Sequence, residues 1–113
     1  MLRWALTCLG WTLKLRAFET LLRFQSHQDV GIRLSVANNI VGCAQRLDDP
    51  ELLRALVNLC HDEDEEVRYA ALWEVREHIT IRSEAILNML NRRLGDSSVR
   101  IRKLAEEAID KGQ

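Results

Sequence analysis

The stretch Asp62-Glu63-Asp64-Glu65-Glu66-Val67-Arg68-Tyr69-Ala70-Ala71-Leu72-Trp73-Glu74-Val75 decides how this chain is read. Acids crowd its start, where they cap free N–H groups and suit the positive end of a helix. Val67, Ala71 and Val75 then recur at i, i+4 and i+8, which lays one apolar stripe along a helix.

The same pattern occurs twice more. Asp29-Val30-Gly31-Ile32-Arg33-Leu34-Ser35-Val36-Ala37-Asn38-Asn39-Ile40 precedes it, and Ser98-Val99-Arg100-Ile101-Arg102-Lys103-Leu104-Ala105-Glu106-Glu107-Ala108-Ile109 follows it. Each copy has a β-branched residue followed by Arg, with apolar residues four and eight positions on. The anchors Ile32, Val67 and Ile101 are 35 and 34 residues apart. A second helix precedes each copy in register, so that Phe18, Leu53 and Leu87 correspond, as do Leu21, Leu56 and Leu90. Pro50 behind Asp49, and Ser83 before Ala85, open two of these helices at favoured first-turn and cap positions. The spacing predicts helices at 12–25, 30–44, 50–60, 64–79, 83–94 and 97–110. An extra apolar helix is expected over 2–9, stopped by Gly10.

One helical hairpin cannot bury its own apolar face, so neighbours must stack, and about three repeats are needed. The expectation is an all-α, single-domain α-solenoid in one stack. Its repeats span 12–44, 50–79 and 83–110, with an apolar segment at 1–11.

Composition agrees with an ordinary globular chain of 113 residues, 47% hydrophobic and 29% charged, with one Pro and five Gly. The net charge of −1 supplies no global field for nucleic acid or an anionic membrane. Charge is local instead. Residues 48–66 hold eight acids against Arg54, and residues 92–103 hold Arg92, Arg93, Arg100, Arg102 and Lys103 against Asp96. No apolar run reaches the roughly 18 residues of a membrane helix. Trp4 to Leu13 lacks the longer core and small-x-small site of a signal peptide. Cys8, Cys43 and Cys60 form no CxxC, and reduced thiols in a cytoplasmic setting are expected.

The quoted segments resemble the HEAT family, in the compact form common in bacterial HEAT-repeat proteins, over roughly residues 25–110. The period is shorter than the 40–47 residues usual for that repeat. Asn38-Asn39 and the charged run from Lys103 to Glu107 also depart from its pattern. The resemblance implies that the Arg after each β-branched residue pairs with an Asp at an inter-helix turn. Arg33, Arg68 and Arg102, with Asp29, Asp64 and Asp96, would then be structural. It also implies that the second helix of each hairpin lines a concave face.

Tests for chemistry return little. His27, His61 and His78 show no metal-ligand spacing such as HxxxH, so no metal or other cofactor is expected. Glu77-His78 reverses the order of the HE motifs in HEAT-fold di-iron hydroxylases. The acids from Asp62 fail the EF-hand pattern, with Val67 and Trp73 where Gly and Glu belong. Phosphate loops, nucleophile elbows and Ser/His/Asp arrangements are missing. The chain is therefore read as non-enzymatic.

On helix 64–79, Tyr69, Trp73 and Arg76 project opposite the core stripe. The equivalent positions are Leu34, Asn38 and Val41 in the first repeat, and Lys103, Glu107 and Asp110 in the third. Tyr, Trp and Arg are the residue types most often found at binding hot spots. The leading expectation is a protein–protein interaction module acting as an adaptor, regulatory or inhibitor-like accessory protein. The competing packing expectation for Trp73 is burial against a neighbouring repeat. The basic cluster motivates an alternative, nucleic-acid binding like that of HEAT-fold DNA-repair proteins. A net charge of −1 opposes it, because such binding needs a continuous basic track. A third, by fold analogy, is an accessory or chromophore-lyase-like subunit. The apolar stripes through Trp4, Cys8 and Trp11 further predict an oligomer, a partner or additional repeats.

Overall fold

A computed structural model describes residues 14–112. Among the described residues there are six helices and no strand. The first, α1, covers residues 14–24. It is followed by α2 (Val30–Cys43), α3 (Pro50–Cys60), α4 (Glu65–His78), α5 (Glu84–Arg93) and α6 (Val99–Lys111).

Helices α2 to α5 start where short polar side chains accept orphan backbone N–H groups. Asp29 Oδ1 accepts from Gly31 N at 2.7 Å, and Asp49 Oδ1 from Glu51 N at 2.8 Å. Asp64 Oδ1 accepts from both Glu66 N and Val67 N, at 2.9 and 3.2 Å. Ser83 Oγ accepts from Ile86 N at 3.4 Å. Helix α6 begins two residues later than the spacing implied, because Ser97 and Ser98 remain in the turn and Ser98 is the cap residue.

The helices form two layers. The second helices of the hairpins, α2, α4 and α6, pack side by side, and α3 packs beside α5 in the other layer. Between the layers lies one continuous core. Its fully buried members include Val36, Ile40, Leu52, Leu56, Leu59, Val67, Leu72, Val75, Ile86, Leu90 and Ile101. At about 25 cal/mol per Å² of apolar surface, each such Leu or Ile contributes roughly 1.5–3 kcal/mol over the exposed state.

Two anchor positions depart from the repeat. Val67 and Ile101 are buried completely, but Ile32 is 37% exposed. Phe18 is buried and Leu53 partly so, while Leu87 is 42% exposed. Among the described residues no hairpin precedes the first repeat or follows the third, so these positions meet fewer neighbours there than their equivalents do. Trp4, Trp11 and the 1–11 segment lie outside the described residues, as does the expected helix over 2–9.

Candidate protein-binding groove

The second helices carry the groove. On α4, residues three and four apart share a face, so Tyr69, Trp73 and Arg76 emerge together. Leu34 and Asn38 of α2 meet Glu66, Tyr69, Ala70 and Trp73 of α4 around one concavity. Tyr69, Trp73 and Arg76 of α4 meet Arg100, Lys103, Leu104 and Glu107 of α6 around the next. Trp73 therefore stands on the ridge between the two, 40% exposed, and Tyr69 is half-buried beside it. Asn38, Lys103, Glu107 and Asp110 are exposed, and Leu34 and Arg76 half-buried. Val41 is the exception among the expected groove positions. It is 8% exposed and belongs to the buried core.

The two seams differ chemically. Between α4 and α6, Arg100 bonds Glu66 and lies 3.4 Å from Glu65 Oε1. Its guanidinium carbon also sits 4.4 Å above the Tyr69 ring, in cation–π range. Arg76 Nε lies 3.2 Å from Glu107 Oε2, at ion-pair distance though not aimed for a hydrogen bond. Lys111 reaches Glu77 at 3.5 Å. The α2–α4 seam has no such pairs among the described residues, and its walls are Leu34, Asn38, Glu66, Ala70 and the two aromatic rings. Near its far end, the His78 ring meets Trp73 edge-on at 6.3 Å. His78 Nε2 lies 3.6 Å from Glu74, whose carboxyl burial pushes up despite that neighbour.

Glu66, Ala70 and Arg100 were not among the residues expected to form the groove. A signal for the charged pair existed. Glu66 and Arg100 are 34 residues apart, so they occupy the same repeat position on neighbouring helices with opposite charge.

The Arg–Asp ladder is assembled differently from the expected set. Arg33 Nε and Nη2 bond the two carboxylate oxygens of Asp62 at 2.8 and 3.2 Å. Arg68 holds Asp96 in the same fork, at 3.0 and 3.2 Å. Asp62 and Asp96 are thus the equivalent rungs. Asp29 and Asp64 are helix caps, and Ser98 occupies that position in the third repeat without a side-chain cap bond. Two acids two residues apart in one turn read alike in sequence; only the turn's path aims Asp62 back at the preceding repeat. Burial pushes the Asp96 carboxyl up, but the Ser98 N–H, Arg68 and Arg93 more than offset this and hold it below the usual range.

The remaining clusters have local partners. Of the five clustered bases, Arg93 pairs with Asp96 at 2.8 Å, Arg100 with Glu65 and Glu66, and Arg102 donates to the Asp96 carbonyl at 2.7 Å. His27 Nδ1 accepts the Asp29 N–H at 3.0 Å. His61 follows the end of α3, its ring pushed down by burial and by Arg93 and Arg92. Cys60 is fully buried, which pushes its thiol up and away from reactivity, and Cys43 is half-buried. Cys8 lies outside the described residues. No group of three His, Cys, Asp or Glu among the described residues could hold a metal ion. No helix among them is long and apolar enough to cross a membrane.

The family described as HEAT repeats matches residues 23–110. The chain belongs to the HEAT-repeat family. No curated protein and no solved structure matches it.

Proposed function

We propose that the chain is a non-catalytic interaction module whose α2–α4–α6 face binds a protein partner, as an adaptor, regulator or inhibitor-like accessory. HEAT repeats typically mediate protein–protein interaction, and the residues of this face support that use here. One observation carries the reading. A tryptophan in the middle of the middle repeat stays 40% exposed, although the stack around it buries every core position of α4. Exposed beside Tyr69 and a seam without ion pairs, Trp73 offers apolar area at small entropic cost, as binding hot spots do.

Nucleic-acid binding is disfavoured by the ion pairs. Arg93 and Arg100 are neutralised by acids, Arg102 is held against the Asp96 carbonyl, and Arg92 and Lys103 lie on different helices. The continuous basic track that phosphates require is thereby broken up. The proposed setting is cytoplasmic, in keeping with reduced Cys43 and Cys60.

The test is affinity capture from the native host with the full chain and with Trp73→Ala, each checked for helical circular dichroism. The proposal expects partners bound by the parent chain to be lost from a folded Trp73→Ala variant. Retention of every partner by that variant would overturn it.

A further inference from the structure

Helix α4 places two carboxylates along the side that faces α2, and α2 answers with no base. Glu66 and Ala70 line the concavity between the two helices, and Glu74 follows on the same stripe at i, i+4 and i+8. The single charged side chain of α2 is Arg33, which bonds Asp62. The arginines of α4 are engaged as well, Arg68 by Asp96 and Arg76 by Glu77 and Glu107. Among the described residues Glu74 has only His78 as an ion-pair neighbour, at 3.6 Å, and its side chain is 13% exposed. Burial pushes its carboxyl up, by more than His78 pulls it down.

On the other side of Tyr69 the chain shows how it holds a cation. Arg100 of α6 bonds Glu66 and lies 3.4 Å from Glu65 Oε1, with its guanidinium carbon 4.4 Å above the Tyr69 ring. An aromatic face and carboxylates together make that cradle. Two carboxylates share the one guanidinium, so the cluster keeps a negative charge. The α2–α4 concavity presents Tyr69 and Glu66 again, with Trp73 beside them and no guanidinium among its lining residues.

We infer that the α2–α4 concavity receives a basic side chain from a segment of the partner protein, its charged head at Glu66 and its stem on Leu34, Ala70 and the aromatic rings. This rests on the proposal that the face binds a protein, and it names what that protein presents. The concavity, about 330 Å³, has room for one long side chain and the backbone that carries it. A purely apolar side chain would cover Glu66 and Asn38 without giving either a partner, which costs free energy. An acidic one would meet like charge. Lysine and arginine combine an apolar stem with a charged head, so the stem covers Leu34 and Ala70 while the head stays with the carboxylate. The ring faces add their own attraction for a cation. Glu74, two turns beyond Glu66 or about 12 Å along the helix, extends the negative potential down the seam.

The probes are N-acetylarginine methylamide and N-acetylnorleucine methylamide, which share an apolar stem and differ in charge. The readout is the Trp73 indole N–H resonance of the full chain, assigned with Trp73→Phe. The arginine probe should shift it at a roughly threefold lower concentration than the norleucine probe, the advantage one exposed ion pair gives. Glu66→Gln should remove that advantage, and high salt should shrink it in wild type, because exposed charges are screened. An advantage that survives Glu66→Gln would overturn the inference. Absence of any shift with the arginine probe, as when another part of the chain fills the concavity, overturns it too. Equal shifts by the two probes overturn it while leaving the protein-binding face standing, since capture with Trp73→Ala tests that face separately. Should Glu66→Gln fail to fold, wild type decides alone, and an advantage unchanged by salt counts against the inference.

Discussion

Arg68 and Asp96, 28 residues apart, meet through two parallel hydrogen bonds in a site where 10% and 2% of their side-chain surface is exposed. The pair links one repeat to the next at the turn, and Asp96 also accepts from Arg93 and from the Ser98 backbone. Removing the acid leaves two guanidinium groups without their carboxylate. Asp96→Ala should therefore destabilise the fold by about 3–5 kcal/mol, the range found when one member of a buried pair is removed. Urea unfolding of the two chains measures it.

The same carboxylate makes stability depend on acid. Its folded value lies below the ordinary Asp value of about 3.9, so its contribution is complete above that pH. The contribution is lost as pH falls through the folded value. Melting temperatures should hold steady from neutral pH to about 5 and fall below about 4. Asp96→Asn should show a shallower fall.

Helix caps give a smaller, separable effect. Asp64 accepts from two N–H groups at the start of α4, whereas Ser98 makes no side-chain cap bond at α6. Asp64→Ala is expected to cost about 1 kcal/mol, and Ser98→Ala less. A pair of thermal or urea denaturation curves distinguishes them.

Core and end positions of the repeat should diverge sharply. Leu72 is fully buried, so Leu72→Ala should cost about 2–5 kcal/mol through lost burial and the cavity left behind. Glu106, its equivalent in the third repeat, is exposed, and Glu106→Ala should stay within about 0.5 kcal/mol of wild type. Similar losses at both sites would mean that Glu106 is buried as Leu72 is.

Trp73→Ala separates binding from packing. With 40% of the residue exposed on the groove ridge, its truncation should cost about 1–2 kcal/mol of stability. A fully buried Trp would cost about 3–5 kcal/mol. Equilibrium unfolding reports which applies, independently of any partner.

Much of this architecture could be read from residue order, and the reasons are local. Val67, Ala71 and Val75 recur at helical spacing, and Asp49 with Pro50 marks a helix start whatever surrounds it. The 34–35-residue offset relates three such segments to one another, and the HEAT-repeat family model matches residues 23–110. Less legible were features that depend on a neighbour. Ile32 satisfies the same pattern as Val67 and Ile101, yet it is 37% exposed, because burial depends on the neighbours a position meets and the pattern does not encode them. Val41 shares the spacing of a groove residue and is buried, since spacing along one helix does not encode which neighbours cover it.

Sequence by itself determined that the chain makes helical hairpins in register, because capping and apolar periodicity act within a few residues. It also determined that Trp73 sits opposite the core stripe of its helix. Tertiary structure alone decided that Arg33 and Arg68 choose Asp62 and Asp96 over Asp29 and Asp64, and that Trp73 remains exposed. It likewise decided that Arg102 bonds the Asp96 carbonyl and meets no carboxylate among the described residues. These outcomes turn on which surfaces of separate repeats face one another across 28 or 29 residues of chain. Local propensity carries no information about that, and stacking does.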